Sequence, residues 1–123
     1  MTEPLAPEQE RAARIAARND AFRKTANTTV LFSRTLADEG PATLLELLQR
    51  VRAFDGFTPA NDPYGEHDYG SFTHRLCIGA EPSEQTVLWK IDTYADASLT
   101  YGADDPLANE AVRVLTIMHV SDY

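Results

Sequence analysis

Two hydrophobic periods follow one another in this chain, and the switch between them limits what it can fold into. Leu44, Leu47, Leu48 and Val51 recur at i, i+3, i+4 and i+7, the spacing of one buried helical face. A helix is therefore expected from about Thr43, as its N-cap, to Ala53. From Gly70 the period falls to two. Phe72, His74, Leu76 and Ile78 share one face of a strand over Gly70–Gly79, and Val87, Trp89 and Ile91 share one face of a second strand over Gln85–Tyr94. The turn between them at Ala80–Glu84 makes the pair a hairpin.

The flanks extend this pattern. Pro7 to about Lys24 reads as a helix, with Pro7 in the first turn, Glu8 and Glu10 at its positive end and Arg23 and Lys24 at its negative end. Arg11, Arg14 and Arg18 form a basic ridge on this helix, a solvated face or a grip for an acidic group. The β-branched and aromatic run Thr28–Thr35 reads as a strand, and Leu99–Tyr101 as a short further one. The last segment, about 106–121, follows a helical stripe through Leu107, Ala111, Val114, Leu115 and Met118, with Asp105-Pro106 as cap and first turn. Together these elements predict one α+β domain over residues 1–123. Its antiparallel sheet has three or four strands, with helices packed mainly on one face.

At 123 residues, 43% of them hydrophobic, the chain has material for a single core. Cys77 is the only cysteine, which excludes an internal disulfide and any multi-cysteine zinc site. No apolar run is long enough to cross a bilayer, and the acidic N-terminus lacks the apolar stretch of a signal peptide. A cytoplasmic protein is expected. Residues 1–60 carry 8 acidic and 8 basic side chains, whereas residues 61–123 carry 11 acidic and 3 basic. The net charge of −8 therefore lies wholly in the second half. Direct nucleic-acid binding, which needs a basic footprint, is disfavoured. A basic protein partner, a metal ion and simple solubility are all compatible with the excess.

Between the helix and the hairpin lies a segment without periodicity, 55–70, ending in NDPYGEHDYG. Loops of this length in a compact domain are functional or disordered, and Phe57, Tyr64 and Tyr69 argue against disorder. Asp62, Tyr64, Glu66, Asp68 and Tyr69, with Trp89 and Lys90 of the second strand, are the candidate binding residues. Two more chemical readings fit the same residues. Glu66, Asp68 and Asp92 offer hard oxygen ligands for a divalent cation, although neither a calcium loop nor a zincin motif is present. His67, oriented by a carboxylate, is a candidate general base, and Glu66 is the second candidate catalytic residue. Against these stands a structural role, in which Asp62 and Asp68 accept backbone amides as Asx turns and hold the loop in shape. Trp89 is expected as a core anchor with Tyr64 or Tyr69 over it, His74 as a core histidine, and Cys77 as a small packing residue. Arg75, Lys90 and Asp92 are placed for an ion pair on the outer sheet face.

The combination RNDAFR (18–23), FDGFTPANDPYGEHDYG (54–70), WKIDTY (89–94) and RVLTIMHVSDY (113–123) resembles the domain-of-unknown-function family numbered 3768. The likeness covers roughly residues 14 to 123. It implies a small bacterial protein of plasmids and phages with no established activity, and it assigns no site. The leading functional expectation is a small acidic binding module of a mobile element that acts on a protein with a basic surface, in its specific form an inhibitor of host restriction or CRISPR defence. The alternative is a divalent-metal-dependent hydrolase or transferase built on the loop.

Overall fold

The structure is a computed structural model that describes residues 4–25 and 30–123. Helix α1 spans Pro7–Thr25, strand β1 Val30–Phe32, the short helix α2 Arg34–Ala37 and helix α3 Pro41–Ala53. Strands β2 (Tyr69–Leu76), β3 (Ser83–Tyr94) and β4 (Val112–His119) follow, and a single 3-10 turn at Val120–Asp122 closes the chain. The four strands form one sheet in the order β1-β4-β3-β2. The β2–β3 hairpin and the β3–β4 pair are antiparallel, while β1 runs parallel to β4. The α+β class holds, with one parallel pair added to the antiparallel sheet.

One face of the sheet carries the core. Val87, Trp89 and Ile91 of β3 and Leu115 and Ile117 of β4 are buried there, against Leu36 of α2 and Leu47 and Val51 of α3. The expected leucine stripe is only partly interior, since Leu44 and Leu48 are half-buried at its margins. Helix α3 starts two residues earlier than expected, with Gly40 at the N-cap and Pro41 in the first turn, so Thr43 is not the cap. Burial of a large aliphatic side chain is worth about 1.5–3 kcal/mol, which makes this layer the main source of stability.

The C-terminal segment departs from its sequence reading. The expected helix at about 106–121 is instead a turn region followed by β4. β4 lies between β1 and β3, and both of its faces carry buried side chains, Leu115 and Ile117 on one and Val114 and Met118 on the other. A strand covered on both faces reads as a continuous apolar run, which also fits a helical stripe. The Asp105 cap is real but closes a turn, accepting from the Leu107 amide at 3.0 Å. Leu99–Tyr101 forms no strand; a lone bridge joins Tyr94 to Gly102. The strand expected over Thr28–Thr35 is Val30–Phe32, with Thr28 and Thr29 outside the described residues.

Helix α1 buries a face that is half polar. Ile15, Ala16, Asn19 and Arg23 are its interior positions, and the last two organise the loop described next. At the free edge of the sheet, Arg50 donates to the Thr73 carbonyl and Glu39 accepts from the Cys77 amide at 2.9 Å. These side chains occupy groups that an added strand would need.

Candidate functional site

The centre of the loop region is a buried cation. Arg23 is 1% exposed, and its Nη1 donates to the carbonyls of Val51 at 2.7 Å, Arg52 at 3.1 Å and Phe54 at 3.0 Å. These carbonyls close the C-terminal end of α3, where intrahelical donors run out and positive charge is favoured. Arg23 therefore serves the terminus of α3 as well as that of its own helix. Its Nη2 donates to Asp20 Oδ1 at 2.8 Å. Asp20 also contacts His67 Nδ1, at 2.9 Å through Oδ2, so Arg23, Asp20 and His67 form a line from the core to the loop.

Aromatic rings complete the interior. Phe57 stacks on the His67 imidazole at 3.9 Å between centroids with an interplanar angle of 1°. It also meets Phe54 edge-on at 5.0 Å and Trp89 at 6.0 Å. The Arg23 guanidinium lies 5.1 Å from the Trp89 ring and 5.5 Å from the Phe57 ring, within cation–π range. Gly70 lies opposite Trp89 in the β2–β3 register, and a Cβ there would come within 2.4 Å of Trp89 Nε1. The glycine that ends the motif thus makes room for the indole.

Asp62 holds the loop from inside. Its side chain is 7% exposed and accepts from the Glu66 amide at 3.2 Å and the His67 amide at 3.4 Å, with His67 Nε2 at 3.7 Å. These bonds support His67 at a positive φ of 55°, a costly conformation for a residue with a Cβ. Asn19 of α1 donates to the Glu66 carbonyl at 2.8 Å and accepts from Arg113 Nε of β4 at 2.7 Å. Asn61 donates to the Gly56 carbonyl and accepts from the Thr58 amide. The expected structural use of Asp62 is thus present. Asp68 contributes through its backbone, its carbonyl accepting from Ile91 at 2.8 Å.

The electrostatics differ across the loop. Burial alone would raise the Asp20 pKa, but hydrogen bonds from His67 and Arg23 outweigh it and hold the carboxyl below its ordinary value of 3.8. Glu66 and Asp68 shift upward. For Glu66 the causes are burial, then the charges of Asp68 and Asp62, with Arg11 opposing them. For Asp68 burial is again the largest cause, and the charges of Asp62 and Asp92 add to it. Asp68 still presents its side chain to solvent. Among the described residues, neither Glu66 nor Asp68 has an ion-pair partner within 4.0 Å, so their charge is uncompensated at close range.

The candidate residues therefore separate. Tyr64 is 78% exposed, and Glu66 and Asp68 reach solvent beside it. Trp89 is fully buried beneath Phe54 and Phe57, so it is a core residue and not a contact for a ligand, and the rings over it belong to those phenylalanines instead of Tyr64 or Tyr69. Tyr69, Lys90 and Asp92 lie on the outer sheet face. Lys90 pairs with Asp92 at 3.0 Å, while Arg75 stands opposite Glu84 in the register and apart from that pair. His74 is only partly buried and is held by Glu46 at 3.2 Å and Arg50 at 3.1 Å. Cys77 is exposed.

Among the described residues, no group of three or more His, Cys, Asp or Glu is gathered closely enough to hold a metal ion. Glu66, Asp68 and Asp92 therefore do not form the expected ligand set. His67 has an orienting carboxylate in Asp20, with Asp62 Oδ2 3.7 Å from its Nε2, and among the described residues no serine, threonine or cysteine that could act as a nucleophile hydrogen-bonds its ring. Asn19, Asp20, Arg23 and Phe57 are the site residues that pattern reading overlooked. The signal was the i,i+3 spacing of Asp20 and Arg23 on the same helix face as Asn19, a charged pair on an interior stripe.

Residues 28–122 match the model of a family described as a protein of unknown function (DUF3768). No curated protein and no solved structure matches the chain. Among the described residues, no helix is long and apolar enough to cross a membrane.

Proposed function

The chain belongs to the DUF3768 family, and we propose that it is a protein-binding module whose recognition element is the outer side of the 55–70 loop. One observation carries this reading. The loop is immobilised from within by Asp62, His67 and Phe57, while Tyr64, Glu66 and Asp68 are presented to solvent with no ion-pair partner among the described residues. A preorganised loop loses little entropy on binding, and an exposed tyrosine supplies a rigid contact surface.

The partner we propose has a basic surface, complementary to the acidic second half of the chain. A DNA-handling protein of host restriction or CRISPR defence is the specific form, with the chain encoded on a mobile element. The resemblance to a plasmid- and phage-associated group supports that form by association alone. The metal-dependent hydrolase or transferase has less support, because its proposed ligands do not converge and His67 is engaged by two carboxylates.

The test is capture of the partner from bacterial host extract, followed by binding of the purified pair across a salt series. Wild type should bind with an affinity that falls as salt rises, and Glu66→Lys with Asp68→Lys should abolish binding while the fold is kept. Salt-independent binding, or binding untouched by the charge reversal, would overturn the proposal.

A further inference from the structure

Tyr64 stands between two hollows. One, of about 410 Å³, lies between α1 and the loop and is lined by Ala12, Ala13, Phe57, Pro59 and His67. The other, of about 340 Å³, lies on the Glu66 side and includes Glu8 and Arg11. Tyr64, Pro63, Ala12 and Gln9 line both. The small side chains of Ala12 and Ala13 leave the helix surface low here, so an aromatic ring 78% exposed is approachable from either side.

The charges beside this groove are unbalanced. Glu8 and Glu66 line the second hollow, and the Glu66 pKa is raised by burial and then by the charges of Asp68 and Asp62, with Arg11 opposing them. Arg11 is the cation of that hollow, but it already pairs with Asp105 at 3.5 Å. Two carboxylates flanking an exposed aromatic ring match a planar cation, which can lie on the ring and donate two parallel hydrogen bonds to a carboxylate. A lysine ammonium offers no such plane.

Resting on the binding reading above, we propose that the groove across Tyr64 receives an arginine side chain of the partner, with the guanidinium against the Tyr64 ring and paired to Glu66. The hollow on the α1 side, lined by Ala12, Ala13, Phe57 and Pro59 together with polar groups, receives the neighbouring residue of the same segment. This makes the partner's contact an exposed arginine-bearing peptide segment.

The probe is N-acetyl-L-arginine amide, titrated into ¹⁵N-labelled protein and followed by amide shifts, with the citrulline analogue as an uncharged control of the same shape. The arginine probe should shift amides of residues 8–13 and 58–67 saturably, and citrulline should not. Tyr64→Ala should weaken the arginine probe about two- to fivefold, as loss of a cation–π contact of about 0.5–1 kcal/mol at an exposed site requires, and Glu66→Gln, which removes the paired carboxylate charge, should weaken it as well. Unchanged amide positions elsewhere certify the fold of each variant. Equal response to citrulline, equal affinity for a lysine probe, shifts confined to other carboxylates such as Asp104 and Asp105, or full affinity in Tyr64→Ala would each overturn the assignment. A captured partner that still depends on salt and on Glu66 and Asp68 while the arginine probe fails would retain the binding module and remove this groove as its arginine site.

Discussion

Asp62 and Tyr64 stand two residues apart in the same loop and do opposite things. The Asp62 side chain is nearly inaccessible and accepts two backbone amides, whereas the Tyr64 side chain projects into solvent and makes no hydrogen bond among the described residues. Asp62 belongs to a network that continues through His67 and Asp20 to the buried Arg23. Tyr64 belongs to a rim with Glu66 and Asp68. The comparison teaches that a dense polar motif can hold two functions at alternate positions, one set building the loop and the other left free to meet a partner.

The largest effect expected on the inner side comes from Arg23→Met. It strips donors from three carbonyls at the C-terminal end of α3 and leaves the partly buried Asp20 without its cation, a loss near the lower end of the about 3–5 kcal/mol that breaking a fully buried pair costs. Urea unfolding checks it, and a loss below about 1 kcal/mol would break the claim that Arg23 organises the site. Gly70→Ala should come next, since the new methyl meets Trp89 Nε1 at 2.4 Å and Phe54 at 2.9 Å. Overpacking of this kind costs about 1–3 kcal/mol. Near-ultraviolet circular dichroism should show the Trp89 environment altered, and an unchanged spectrum with unchanged stability would refute the close approach.

The acid limb of stability sharpens the inner side further. Because the folded Asp20 pKa is depressed, its contribution is present above the unfolded value of about 3.8 and is lost as pH falls through the folded value. Asp20→Asn should therefore lower stability at neutral pH and flatten the loss seen as pH falls below the ordinary Asp value of 3.8. A mutant limb as steep as wild type would contradict the assignment. On the outer side the sign reverses. The Glu66 pKa is raised, so its ionised form is disfavoured by folding, and Glu66→Gln should leave neutral-pH stability unchanged or slightly higher. A clear loss of thermal stability would place Glu66 with the scaffold.

Much of this architecture was legible because local pattern and tertiary role agree. The α3 stripe and β2 have one solvated and one buried side, and β3 keeps its apolar alternation apart from the buried Leu88, so period locates them. β4 was misread because both of its faces are covered and its apolar run fits two periods. The loop motif was legible as a location, and Asp62 as a loop-holding residue. Its partners were not, because Asn19, Asp20 and Arg23 lie more than thirty residues upstream on a helix whose buried face is half polar. Arg23 fits the end of its own helix as a dipole complement, and only the packing of α1 against α3 shows that it closes the other helix. Trp89 illustrates the converse, an aromatic beside the motif in space whose place is wholly in the core.

The most direct measurement compares Asp62→Ala with Tyr64→Ala by denaturant unfolding under one set of conditions. Loss of a buried acceptor for two backbone amides should cost about 1–3 kcal/mol in Asp62→Ala, while truncation of an exposed side chain in Tyr64→Ala should stay within about 0.5 kcal/mol of wild type. That contrast would establish the division between a loop's scaffold and its free rim. Equal losses in both variants, or a larger loss in Tyr64→Ala, would contradict it.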